Sequence, residues 1–130
     1  MLLPVSQVAS LVNALNLTWL DKVYLNSIPN EDLDNTDITV MLLQETDSSP
    51  AYLANNTFKG LAMGVEIQIF YKVPLADDFN PLEAEIALMK SFKEAGWLIV
   101  SSQHHTTDPD TDQVTKTIYV TKNEMIKGDI

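Results

Sequence analysis

Two histidines and three aspartates fall within nine residues of this chain: His104, His105, Asp108, Asp110 and Asp112. These residue types hold metals, move protons and activate water. A metal centre needs three or four convergent donors. On an extended strand, however, adjacent side chains point to opposite faces, so His104 and His105 cannot meet on one ion without a break in the strand. The chain has no cysteine to complete a site. Asp108, Asp110 and Asp112 repeat the opening spacing of a calcium loop, but Gln113 stands where the sixth-position glycine belongs and Tyr119 where the twelfth-position glutamate belongs. The expectation is two mostly exposed histidines beside a solvated acidic turn.

No Ser-His-Asp spacing, phosphate-cradling glycine loop or His-Glu helix motif occurs, and there are four glycines in all. We therefore expect no catalytic residues, no cofactor and no metal. A small hydrolase built on His104 or His105 is the one enzymatic alternative.

The elements that must position these residues follow from pattern. Gly96 to Lys122 reads as a β-hairpin: an apolar start at Trp97 to Val100, turn chemistry at Asp108-Pro109-Asp110-Thr111, and a return strand with Ile118 and Val120 on one face. Upstream, Val5, Val8, Val12 and Leu15 recur at helical spacing, predicting an amphipathic helix from Pro4 to Asn16 with proline in its first turn. Lys22 to Ile28 reads as a strand, Asn30 to Asp37 as a loop, and Ile38 to Leu43 as a buried strand.

Val65, Ile67, Ile69, Tyr71 and Val73 alternate with Glu66, Gln68, Phe70 and Lys72, the clearest period-two signal in the chain. A second helix has Asn80 as N-cap, Pro81 first and Gly96 just past its end, with Leu82, Ile86, Met89 and Phe92 as the expected buried stripe.

Gln44 to Gly60 reads as a long loop and Asn123 to Ile130 as a loose tail. The loop holds Tyr52, Leu53 and Phe58, apolar groups without a periodic pattern; together with Asp108, Asp110 and Asp112 they are the candidate interface residues. The expected fold class is α+β, a mostly antiparallel five-stranded sheet with two helices on one face, in the order α-β-β-β-α-β-β.

At 130 residues the chain is the length of one domain. Eighteen acids oppose eight bases, all lysine, for a formal net charge of −10. Without arginine, and with a charge that repels phosphate, sequence-specific nucleic-acid binding is not expected. The absence of cysteine fits a reducing compartment, and the uncharged opening residues, broken by Pro4, Gln7, Asn13 and Asn16, do not read as a signal or membrane-spanning segment.

The runs Leu20-Asp21-Lys22-Val23-Tyr24-Leu25-Asn26-Ser27-Ile28-Pro29, Gly64 to Tyr71, Glu85 to Lys90, and Gly96-Trp97 through the Asp108-Pro109-Asp110-Thr111 tip resemble a family of minor tail components from siphophages and prophages of lactic-acid bacteria. In the order and size of its elements the chain is also similar to phage tail-terminator proteins. The likeness spans roughly Leu11 to Lys122 and carries no catalytic signature.

It implies a structural protein in the virion tail, assembled in the host cytoplasm, whose copies close into a hexameric ring. The ring would cap the tail-tube protein and meet the head connector. An acidic DNA mimic or other phage-encoded inhibitor of a host protein is the alternative raised by the charge, although many of the acids are scattered through loops.

Overall fold

The first helix begins where proline allows it. In the computed structural model, which describes residues 1–128, α1 spans Pro4–Ala14 with Pro4 in its first turn. Its buried stripe is Val5, Val8 and Val12, each contributing roughly 2 kcal/mol by the apolar area it removes from water. β1, Lys22–Leu25, stops short of Ile28 because Asn26 turns left-handed, at φ 73°, and its N–H donates to the Leu43 carbonyl at 2.8 Å. Inside the segment expected to be a loop lies a short helix, α2, Asn30–Leu33.

The expected long loop does not exist. Gln44 to Gly60 is the distal part of two long strands, β2 (Val40–Ala54) and β3 (Thr57–Phe70), joined by Asn55 and Asn56, both left-handed at φ 55° and 64°. Two left-handed residues make a tight hairpin turn whose twist matches its strands. The segment hid from the pattern because, past Leu43, β2 is largely exposed on both sides, so no alternation of polarity marks it. The pairing steps by one residue between Glu45 and Asp47, a bulge at Thr46. Gly64 lies opposite, where a Cβ would meet Thr46 Oγ1 and sit 3.2 Å from Asp47 Cβ.

α3 spans Pro81–Glu94, and the Asn80 side chain accepts a hydrogen bond from the Glu83 N–H at 3.2 Å, as its capping signature predicts. Its buried face differs in part from the predicted one: Phe92 is buried and Met89 half-buried against the core as expected, but the other two are not. Glu85, Leu88 and Phe92 point inward, while Leu82 and Ile86 are exposed. The apolar residues alone mislead here because one member of the inward row is a carboxylate.

The hairpin that follows comprises β4 (Leu98–Ser102), β5 (Thr106–Thr107) and β6 (Val114–Met125). β6 runs into the segment expected to be a tail, and Ile126 N–H still donates to the Lys59 carbonyl at 2.8 Å; the last two residues of that segment lie outside the described residues.

The sheet order is β1-β2-β3-β6-β4, with β5 also on β6. Its β1–β2 pair is parallel and the others antiparallel. Among the described residues there are thus six strands and three helices, rather than five and two. The α+β class and mostly antiparallel sheet stand.

Register explains the layers. Leu43 pairs Ile67 and Ile67 pairs Ile118, while Val65 pairs Val120. These side chains share one face and form a single core cluster with the stripes of α1 and α3. α2 lies on the other face, tied through Asp32 to Lys22 and Tyr24 of β1.

Candidate functional site

Two of the hairpin residues that invite a chemical reading, His105 and Asp108, are held by their neighbours. His105 Nε2 lies 2.8 Å from both carboxylate oxygens of Glu85 on α3. The Tyr71 hydroxyl donates to Glu85 Oε2 at 2.5 Å. The carboxylate has no solvent exposure and both its oxygens are engaged, an arrangement that locks α3 to the residue following β3 and to the hairpin. Burial first, and the adjacent carboxylate second, push the Tyr71 hydroxyl far above its ordinary pKa. His104 is exposed and stands outside this contact. Tyr71 also packs in an aromatic cluster with Trp19 and Phe79, ring centres 5.7–6.1 Å apart.

Asp108 closes the hairpin tip. Its Oδ1 accepts from Asp110 N–H at 2.9 Å, its N–H donates to the Gln113 carbonyl at 2.9 Å, and its carbonyl accepts from Asp112 N–H at 2.8 Å. The aspartates thus build the turn. Among the described residues no group of three or more histidines and acids is placed to hold a metal ion, and no helix is long and apolar enough to cross a membrane.

Two opposite ends of the sheet remain. At the end where β2 and β3 turn, β6 stops pairing at Gly60–Met125, and the last residues of the hairpin project as a two-stranded arm. Leu53 on this arm is 82% exposed, and Tyr52 and Phe58 are also exposed. Tyr52 has a left-handed backbone, φ 57°, a conformation that costs a bulky residue roughly 1–3 kcal/mol. Its ring lies where a Cβ on Gly60 would be. Met1, Leu2, Leu3 and Met125 are exposed as well, and Met1 and Met125 line one groove. Lys59 is the sole charged residue between Asp47 and Glu66.

At the other end, α2 and the connections between elements carry Asp21, Glu31, Asp32, Asp34, Asp37, Asp77, Asp78, Asp108, Asp110 and Asp112, ten of the chain's 18 acids, with Lys22 at the start of β1 and Lys72 after β3 among them. Asp32 is the best held of these. It accepts from Tyr24 Oη, from Lys22 Nζ at 2.9 Å and from Asn35 Nδ2 at 3.2 Å, and those contacts, the tyrosine's foremost, bring its carboxyl pKa down to about 2. Beside it, on the face away from the main core, opens a groove of about 370 Å³. Val40, Leu42, Phe70, Ile28 and Leu33 line it together with Asp34 and Asp108.

The candidate residues therefore divide between these ends: Tyr52, Leu53 and Phe58 at one, Asp108, Asp110 and Asp112 at the other. Sequence reasoning missed the Tyr71–Glu85–His105 cluster and the groove. Glu85 does stand three and seven residues before Leu88 and Phe92, a helical row that, once admitted to contain an acid, marks it as buried. The groove had no signal, since its lining comes from β1–β2 connections, two strands and the hairpin tip.

No curated protein matches the chain. The family described as a protein of unknown function, DUF806, matches residues 2–125, and the chain belongs to that family.

Proposed function

We propose that this is a structural phage protein without enzymatic activity, a tail terminator that assembles as a hexameric ring, caps the tail tube and joins it to the head connector. The observation that carries the reading is the division of the molecule into an arm with exposed apolar side chains and an opposite end rich in carboxylates. Exposed apolar groups on a projecting arm are suited to contact with other protein surfaces. A ring of acidic ends would repel DNA phosphates and let a strand pass without adhering. The candidate residues that touch one another do so as structural locks, in keeping with assembly rather than turnover.

Electron microscopy of the purified protein, alone and mixed with the tail-tube protein from the same phage, tests this. Rings at one end of tubes, and shorter tubes when the protein is in excess, are expected. Tubes that grow to the same length with bare ends would remove the reading.

The clustering of acids favours a second reading, an acidic DNA mimic. Competition with DNA for a host nuclease, without any effect on tube assembly, would select it.

A further inference from the structure

We infer that the arm of one copy seats in the outer-face groove of a second copy, with Leu53 entering the groove and the arm's single positive charge, Lys59, drawn to the acids that line it. The inference rests on the ring reading and assigns its subunit contact.

The two surfaces fit in chemistry. The arm offers exposed apolar side chains and one positive charge; the groove is lined by the apolar Ile28, Leu33, Val40, Leu42 and Phe70 and by the acids Asp32, Asp34 and Asp108. Its volume of about 370 Å³ is within the range of pockets that enclose small ligands or groups of side chains. The fit cannot be made within one chain. Leu53 lies eleven residues along β2 from Leu42 of the groove, roughly 35 Å at the rise of an extended strand.

Sheet-edge addition is a poorer route to the same assembly. Beyond Glu45 the outer edge of β2 carries Asp47 and Pro50, and β4 is interrupted at Val100 by a register shift; charge, proline and bulges are what keep edges from pairing. A contact between unlike patches propagates head to tail, and closes into a ring if the rotation per subunit allows.

The chain has no cysteine, which permits a direct test. Leu53→Cys and Leu33→Cys variants, both at exposed positions, are purified reduced, checked for native circular dichroism, mixed and oxidised. Products are separated by mass and viewed by electron microscopy. The expected result is a mixed disulfide dimer several-fold above the statistical share, with little product from either variant alone. Rings without the mixed disulfide would overturn this contact and leave the ring reading in place. The mixed disulfide in open filaments would support the contact and overturn the ring. A protein that stays monomeric at all attainable concentrations would overturn both.

Discussion

The two long hairpins of this protein share a sheet and treat their tips in opposite ways. In the β4–β6 hairpin, Asp108 fastens its own turn and His105 is drawn onto the buried Glu85. In the β2–β3 hairpin the base is fixed in the core while Leu53 at the far end meets solvent. His105 and Asp108, two of the residues with conspicuous chemistry, already have partners inside the fold. The bland ones do not. Hydrogen-bonding capacity that is satisfied internally is weak grounds for function, whereas apolar groups exposed together on a projecting arm leave a surface open to contact.

Loosening the satisfied hairpin should have the largest effect on stability. Glu85→Ala would leave the Tyr71 hydroxyl buried without an acceptor and open a void, lowering unfolding stability by about 3 kcal/mol. Urea denaturation checks this. If Glu85→Ala unfolds at the wild-type midpoint, the cluster does not lock α3 to the hairpin.

A smaller effect is expected at the other hairpin from Gly60→Ala, whose methyl would collide with the Tyr52 ring and cost about 1–3 kcal/mol. Adding Tyr52→Ala should restore part of the loss, since the double variant removes the obstructing ring and leaves the Glu124 carbonyl 3.0 Å from the new methyl. Lack of rescue in thermal unfolding would place the strain elsewhere.

The acidic end offers a pH test. The Asp32 carboxyl is held at about 2, below the roughly 3.9 of an unfolded aspartate. Its ionised form is therefore favoured by folding. The resulting stabilisation is fully present above the unfolded value and is lost as pH falls from about 4 towards about 2. Asp32→Asn should flatten the stability curve across that window and lower stability at neutral pH. Parallel curves for variant and wild type would show that the Tyr24 and Lys22 contacts do not hold the carboxylate.

What the residues revealed in advance depended on whether an element has two unlike sides. α1 and the core half of β3 separate apolar from polar side chains, and their pattern predicts both element and orientation. Asn80 and Pro81 likewise fix the start of α3 through local backbone chemistry. The arm escapes this logic because both its sides are wet. Only Asn55-Asn56, able to adopt two successive left-handed conformations, signalled a hairpin turn there. The acidic end was legible as composition but not as a place, since its aspartates are scattered along the sequence and are gathered by topology. The apolar groove depends on β2 and β3 register and on the return of the hairpin tip, neither of which a local pattern encodes.

The smallest expected change in stability is also the most direct probe of the difference between the hairpins. Leu53→Ser and Phe58→Ser replace side chains that the fold leaves in water, so each should alter unfolding stability by no more than about 0.5 kcal/mol. Their effect should appear in association instead. Sedimentation of the doubly substituted protein should show a loss of assembled species while circular dichroism and thermal unfolding remain close to wild type. A substantial fall in stability would mean that the arm folds back on its own chain. Unchanged stability with unchanged assembly would mean that these side chains have no partner in the assembly. Separation of the two measurements is the expected signature of residues placed for another copy.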